Sequence, residues 1–166
     1  MLKISIDKIN LLSPYEVTYA DDFGALRFIT NQGRTYRVGF VEESLMSFPG
    51  VYQFFIQADT HTRNDAELFA TIISILEIYF ESGALALSYI CDTRDGRQSA
   101  RNRLFISWFN NYPFNSEYTF INKRLEVEDT EYYISLIVRM DDPLSESVLS
   151  EFKEVVAELE NEDKLV

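Results

Sequence analysis

The chain has 166 residues, a length that suits one domain, and its 13 Phe and 10 Tyr are enough to build a core, which excludes low-complexity disorder. Fifteen Lys and Arg against 27 Asp and Glu leave a net charge of −12, which excludes general nucleic-acid binding, since that runs on phosphate neutralisation. One Cys excludes an internal disulfide and a cysteine-based zinc site, and one His excludes a multi-histidine metal site.

The first half reads as strands. Residues 15–19 alternate aromatic and polar positions and end at the turn-rich Asp21-Asp22-Phe23-Gly24. Residues 26–30 follow, then the turn Asn31-Gln32-Gly33, then residues 36–40, where Tyr36, Val38 and Phe40 share a face. Pro49-Gly50 breaks the chain before a fourth, more buried strand at residues 51–57. The period then changes: Ala66, Phe69, Ile73, Leu76 and Phe80 recur every three or four residues and predict a helix burying that stripe. Asn64 with Glu67 reads as its capping box, and Gly83 as its stop.

Residues 85–91 form an apolar run that predicts a strand buried on both faces. A second helix starts near Asp95, with Gln98 three residues on, and buries Ala100, Leu104, Phe105, Trp108 and Phe109. Gly96 marks either a close approach or a helix start slightly later in the chain. Strands at residues 118–126 and 132–139 follow, the second of them central. Asp142 as cap and Pro143 at the first helical position open a last helix with the stripe Val148, Leu149, Phe152, Val155, Val156 and Leu159. Residues 161–166 are expected to fray.

The pattern predicts an α+β fold, a single domain over residues 1–166. Its sheet is mixed and mainly antiparallel, with one right-handed βαβ crossover from residue 51 to 91. Residues 1–8 lack the apolar core of a secretory signal, because Lys3, Asp7 and Lys8 interrupt it. The longest apolar stretch, residues 68–80, falls short of the ~20 residues that span a bilayer. No membrane association is expected, and a reducing cytoplasm is the expected compartment for the lone thiol.

From the second strand onward this order resembles the GCN5-related N-acetyltransferase (GNAT) fold, over roughly residues 15–140. The resemblance implies acyl-CoA bound between two splayed parallel strands, here residues 51–57 and 85–91. It also implies a phosphate loop of the form Gln/Arg-x-x-Gly-x-Gly/Ala. This sequence has Arg63-Asn64-Asp65-Ala66-Glu67-Leu68 there, so the Arg is in place and the glycines are not. Asp65 and Glu67 put negative charge where a helix start would hold phosphate. The Leu-Tyr pair that supplies a general acid in many members is matched by Leu104-Phe105, without a hydroxyl. The segments 91–101 and 132–139 are also similar to a small family of uncharacterised bacterial proteins, a likeness that brings no function with it.

Chemistry is expected at the carboxyl end of the 85–91 strand, where open α/β sheets bind ligands. Arg94, Arg97, Arg101 and Arg103 crowd into ten positions of an acidic protein, in the first half of a helix where cations oppose the dipole. Either they bind an anion, with Asp92 nearby and Arg63 assisting, or they pair internally with acids such as Glu126, Glu128 or the last helix. His61 and Cys91 lie at the ends of the two predicted parallel strands and would be neighbours there, with Asp92 or Asp95 to orient the imidazole. A nucleophilic pair is one reading, a buried inert thiol and a loop histidine the other. Asp59, Asp92 and Asp95 lack the spacing of a calcium loop, and no metal site is expected. The sequence therefore predicts a GNAT-like domain that binds a basic protein partner or a small anion without standard acyl transfer. The alternative is an active N-acyltransferase with acyl-CoA as its cofactor.

Overall fold

The computed structural model describes residues 1–59 and 65–164. Element order is α1 (Ile6–Asn10), β1 (Thr18–Tyr19), β2 (Leu26–Ile29), β3 (Thr35–Glu42), β4 (Val51–Ala58), α2 (Ala66–Glu81), β5 (Ala86–Ile90), α3 (Gln98–Asn111), a 3-10 turn (Asn115–Glu117), β6 (Tyr118–Val127), β7 (Thr130–Arg139) and α4 (Ser145–Lys164). Every strand and long helix expected from the pattern is present, in the expected order. Not anticipated were the 3-10 turn and α1, a five-residue helix capped by the Ser5 hydroxyl, which accepts from Lys8 N at 3.3 Å.

The chain divides into two compact units, residues 1–42 with 52–84, and residues 43–51 with 85–166. Of the seven strands of the sheet, the first unit carries the order β1-β2-β3-β4, all antiparallel. β1 is shorter than expected: residues 15–17 run into it without pairing, while Tyr15 and Val17 are buried. β4 is also less buried than its run of apolar residues predicts, with only Val51 and Phe54 fully inside. Rings fill the core of this unit: Phe40 stacks on Tyr79 at 4.3 Å between centroids, and Phe28 on Tyr36 at 5.1 Å.

The predicted face of α2 requires correction. Its buried stripe is Leu68, Ile72, Ile75 and Tyr79; of the expected positions Phe80 is buried, whereas Ala66 is exposed and Phe69, Ile73 and Leu76 are half-buried. The helix is apolar on most of its circumference, so periodicity reveals its type but not its inner side. The cap also differs: Asp65, not Asn64, receives the Leu68 amide, and Asn64 lies outside the described residues.

The second unit carries the order β5-β7-β6, antiparallel throughout, with β7 central as expected. β5 is buried along nearly its whole length. The Gly50 carbonyl, within the second unit, accepts from Leu85 N at 2.9 Å and Ala86 N at 3.3 Å. α4 packs Val148, Phe152 and Val156 against Leu125, Leu136 and Val138. Phe105 and Phe109 of α3 meet Phe120 of β6. Strand parity puts Phe120 and Leu125 on opposite faces, so the two helices sandwich the three strands.

α4 begins at Ser145, not at Pro143. Asp142 forms a turn with its Oδ1 accepting from Leu144 N at 2.9 Å, and Pro143 sits in that turn. The helix continues to Lys164, past the expected fraying point at residue 161; residues 165–166 lie outside the description.

Candidate functional site

β5 ends at Ile90, and Cys91 still donates its amide to Tyr133 O at 3.2 Å. Two aspartate turns then lead into α3. Asp92 Oδ1 accepts from Arg94 N at 3.0 Å, and Asp95 Oδ1 accepts from Arg97 N at 3.1 Å. Gly96 has a φ of +71°, outside the helix, so its role is the turn and α3 starts later than Asp95.

The same two aspartates engage two of the arginines. Arg94 Nη2 lies 2.6 Å from Asp92 Oδ2. Arg101 donates through Nη1 to Asp92 O at 2.9 Å and to Asp95 Oδ1 at 2.7 Å. The Arg94 guanidinium holds the Asp92 carboxyl below the usual range, and Arg101 does so more strongly for Asp95. The internal acids that Arg94 and Arg101 find are therefore Asp92 and Asp95 of the adjoining turn, not Glu126, Glu128 or the last helix. Arg103 turns back to Ser99 Oγ at 2.9 Å.

Arg97 differs from the other three. It is exposed, and among the described residues its guanidinium has no hydrogen-bond or ion-pair partner. It occupies the N-cap of α3 without a side-chain cap bond, and the first turn holds no acidic residue. The amides of that turn have no intrahelical acceptor and no capping side chain. The arrangement offers positive charge and outward N–H groups together.

Cys91 is buried, and burial pushes its thiol up to about 11 against the opposite pulls of Arg101 and Tyr89. It is no nucleophile at neutral pH. His61 and Arg63 lie outside the described residues. Asp59 Oδ1 accepts from Thr35 N at 3.2 Å, and among the described residues no group of three His, Cys, Asp or Glu could hold a metal ion. Phe105, at the position of the implied general acid, is buried with its ring 4.3 Å from that of Tyr89.

A family profile matches residues 64–154, more than half of the chain and including α2, β5 and the arginine turn. The chain belongs to the family of unknown function DUF6169. The segments 91–101 and 132–139, which resemble an uncharacterised family, both fall inside that match. No curated protein matches the DUF6169 chain. Among solved structures it is similar to a CoA-dependent acyl-homoserine lactone synthase, MesI, with 17% identity, 73% of this chain and 66% of that one covered, and a TM-score of 0.40. It is also similar to another CoA-dependent acyl-homoserine lactone synthase, BjaI, with SAM and isopentyl-CoA. There the identity is 12%, the coverage 84% of this chain and 68% of that one, and the TM-score 0.41. The DUF6169 chain thus spans about two thirds of the length of these synthases.

Two buried polar clusters of the DUF6169 chain escaped the sequence reading. Glu43 is buried, its Oε1 accepting from Leu45 N at 3.1 Å and its Oε2 from the Ser88 hydroxyl on β5. Beneath α3, Asn122 Nδ2 donates to Asn102 Oδ1 and to Ser135 Oγ, each at 2.7 Å. Asn102 replaces the exposed Ala100 on the buried side of that helix. Ser88 and Ser135, each interrupting an apolar run, were the available signal, because a buried hydroxyl needs a partner.

Proposed function

We propose that the DUF6169 chain is a GNAT-like domain that binds a small anionic ligand at the start of α3 and does not perform standard acyl transfer. The observation that carries this is Arg97: an unpartnered guanidinium at an uncapped helix start, flanked by Arg94 and Arg101. Asp92 and Asp95 hold the two flanking arginines in place, which leaves one cation and the first-turn amides for a ligand. The same aspartates limit the net positive charge, so the site suits a small ligand bearing phosphate or carboxylate groups and not a nucleic-acid strand.

Two features argue against acyl transfer. Phe105 offers no proton donor, and the first turn of α2 is already occupied by acidic groups. Asp65 caps it, and Glu67 accepts from Asn31 Nδ2 at 3.1 Å. A bacterial cytoplasm suits the reading, because the lone thiol is free and buried. Among the described residues no helix is long and apolar enough to cross a membrane.

Thermal shift and calorimetry with inorganic pyrophosphate, CoA and acetyl-CoA test the proposal. A specific ligand at a hundredfold excess over its Kd stabilises by about 2.7 kcal/mol, and Arg97→Glu removes that shift. No shift with any of the three at millimolar concentration overturns anion binding. Turnover of acetyl-CoA with an amine acceptor overturns the non-catalytic half.

A further inference from the structure

In the first unit, α2 packs on one face of the strands, where Tyr79 stacks on Phe40. Side chains of the opposite parity point away from that helix. The register sets four of them in one row across the strands: Thr18 opposite Arg27, Arg27 opposite Arg37, and Arg37 opposite Gln57. Thr18, Arg27 and Gln57 are exposed, and the Arg37 side chain is 41% exposed. Two arginines therefore stand side by side on an open face of a chain whose net charge is −12. Like charges directly opposite each other on neighbouring strands destabilise a sheet, so the free protein carries a cost here.

Asp21 offsets part of that cost. Its Oδ2 lies 2.9 Å from Arg37 Nη2, while its Oδ1 accepts from the Phe23, Gly24 and Ala25 amides. Arg27 is left over: among the described residues its guanidinium has no hydrogen-bond or ion-pair partner. Asp59, opposite Thr35 in the next row, accepts from the Thr35 amide at 3.2 Å. Apolar groups flank the arginines on both sides. Ile29, two residues along β2 from Arg27 and on the same face, is 47% exposed. The Phe55 ring lies 5.2 Å from the Arg37 guanidinium and across Gly39, where a Cβ would come within 2.7 Å of it.

We infer that the Arg27–Arg37 row docks an acidic protein segment, one that sets a carboxylate beside a large apolar side chain. The carboxylate meets the Arg27 fork and relieves the repulsion between the two guanidiniums, while Asp21 keeps Arg37. The apolar side chain covers Ile29. A nucleic-acid strand is the poorer complement, because its unbroken row of phosphates would also meet the field of a chain carrying −12. The row belongs to the first unit, whereas the anion site proposed above belongs to the second, so the two are tested separately.

The probe is a short fluorescein-labelled peptide of alternating Glu and Leu, compared with the same peptide carrying Gln for Glu. Fluorescence anisotropy is expected to show binding of the glutamate peptide only, against the long-range repulsion of the acidic chain. Arg27→Gln and Ile29→Thr each weaken it by about tenfold, and Arg97→Glu leaves it unchanged. Arg27→Gln also melts no lower than the wild type, because it removes a repulsion and breaks no contact. A lower melting temperature marks Arg27 as a structural residue and overturns the inference. Failure of the glutamate peptide to bind, equal binding of the Gln peptide, or wild-type affinity in Arg27→Gln or Ile29→Thr overturns it too. Loss of binding in Arg97→Glu moves the peptide to the start of α3, with the same consequence. So does a wild-type dimer in sedimentation that Arg27→Gln dissolves, since a second copy would then cover the face. Tighter binding of a labelled oligothymidylate, itself lost in Arg27→Gln, makes nucleic acid the occupant and ends the inference.

Discussion

Between the Tyr89 hydroxyl and the Arg101 guanidinium, the Cys91 thiol meets two influences that favour its ionised form, yet burial outweighs both. Its folded pKa of about 11 lies above the ~8.5 of a free thiol. The stability tied to the neutral thiol is therefore intact below about pH 8.5 and is lost as pH climbs toward the folded value. Dithionitrobenzoate at pH 8 should label Cys91 slowly in the folded protein and at the free-thiol rate in denaturant. Rapid labelling of the native chain would contradict the burial. Sequence could place Cys91 at the end of a strand, but the balance between an arginine ten positions on and the desolvation of a packed strand depends on distances no spacing encodes. Arg97 and Arg94 differ for a similar reason. Both stand two residues after an aspartate and both donate their amide to it, yet only Arg94 also turns its guanidinium back onto that carboxyl.

At the scale of elements, the β6–β7 hairpin carries a local conflict. Its ladder closes at Val127 and Thr130, leaving a two-residue turn with φ of 50° at Glu128 and 63° at Asp129. Both residues are left-handed, the geometry that matches strand twist and that Asn-Gly or Asp-Gly would normally supply. Without that signature the sequence reading stops the first strand at residue 126 and restarts at 132, leaving a gap where there is a tight turn. Asp129→Gly relieves the strain at the second turn position. It should raise stability by about 1 kcal/mol in urea melts with an unchanged m-value, and a destabilised variant would show that Asp129 makes a contact worth more than the strain. The helices show the same division between type and detail. Spacing found α2 and α3, but their inner faces were set by packing: Leu68 replaced Ala66, and Asn102 replaced Ala100.

For the whole molecule, five carboxyl groups among the described residues are held low: Asp21 by the Phe23 amide and Arg37, Asp92 by Arg94, Asp95 by Arg101, Glu131 by Arg124 and Asp141 by Arg139. A depressed folded pKa stabilises above the unfolded value, near 4, and that contribution is lost as pH falls through the folded one. Melting temperature should therefore fall on acidification below about pH 4.5, and Asp95→Asn should show a shallower fall. An equally steep acid limb in Asp95→Asn would contradict the pairing. The order of elements was legible because each strand and helix carries its own period. The placement of arginines against aspartates was not, because even pairs two to six positions apart, such as Arg94–Asp92 and Arg101–Asp95, form according to the turn between them. One consequence concerns the seat of α3. Its stacked rings would tolerate a small slide, but the Asn102–Asn122–Ser135 clasp is satisfied at one rotation only. The rings provide adhesion and the two amides provide aim, so the direction in which Arg97 points is governed from a full turn away, by groups that never meet a ligand.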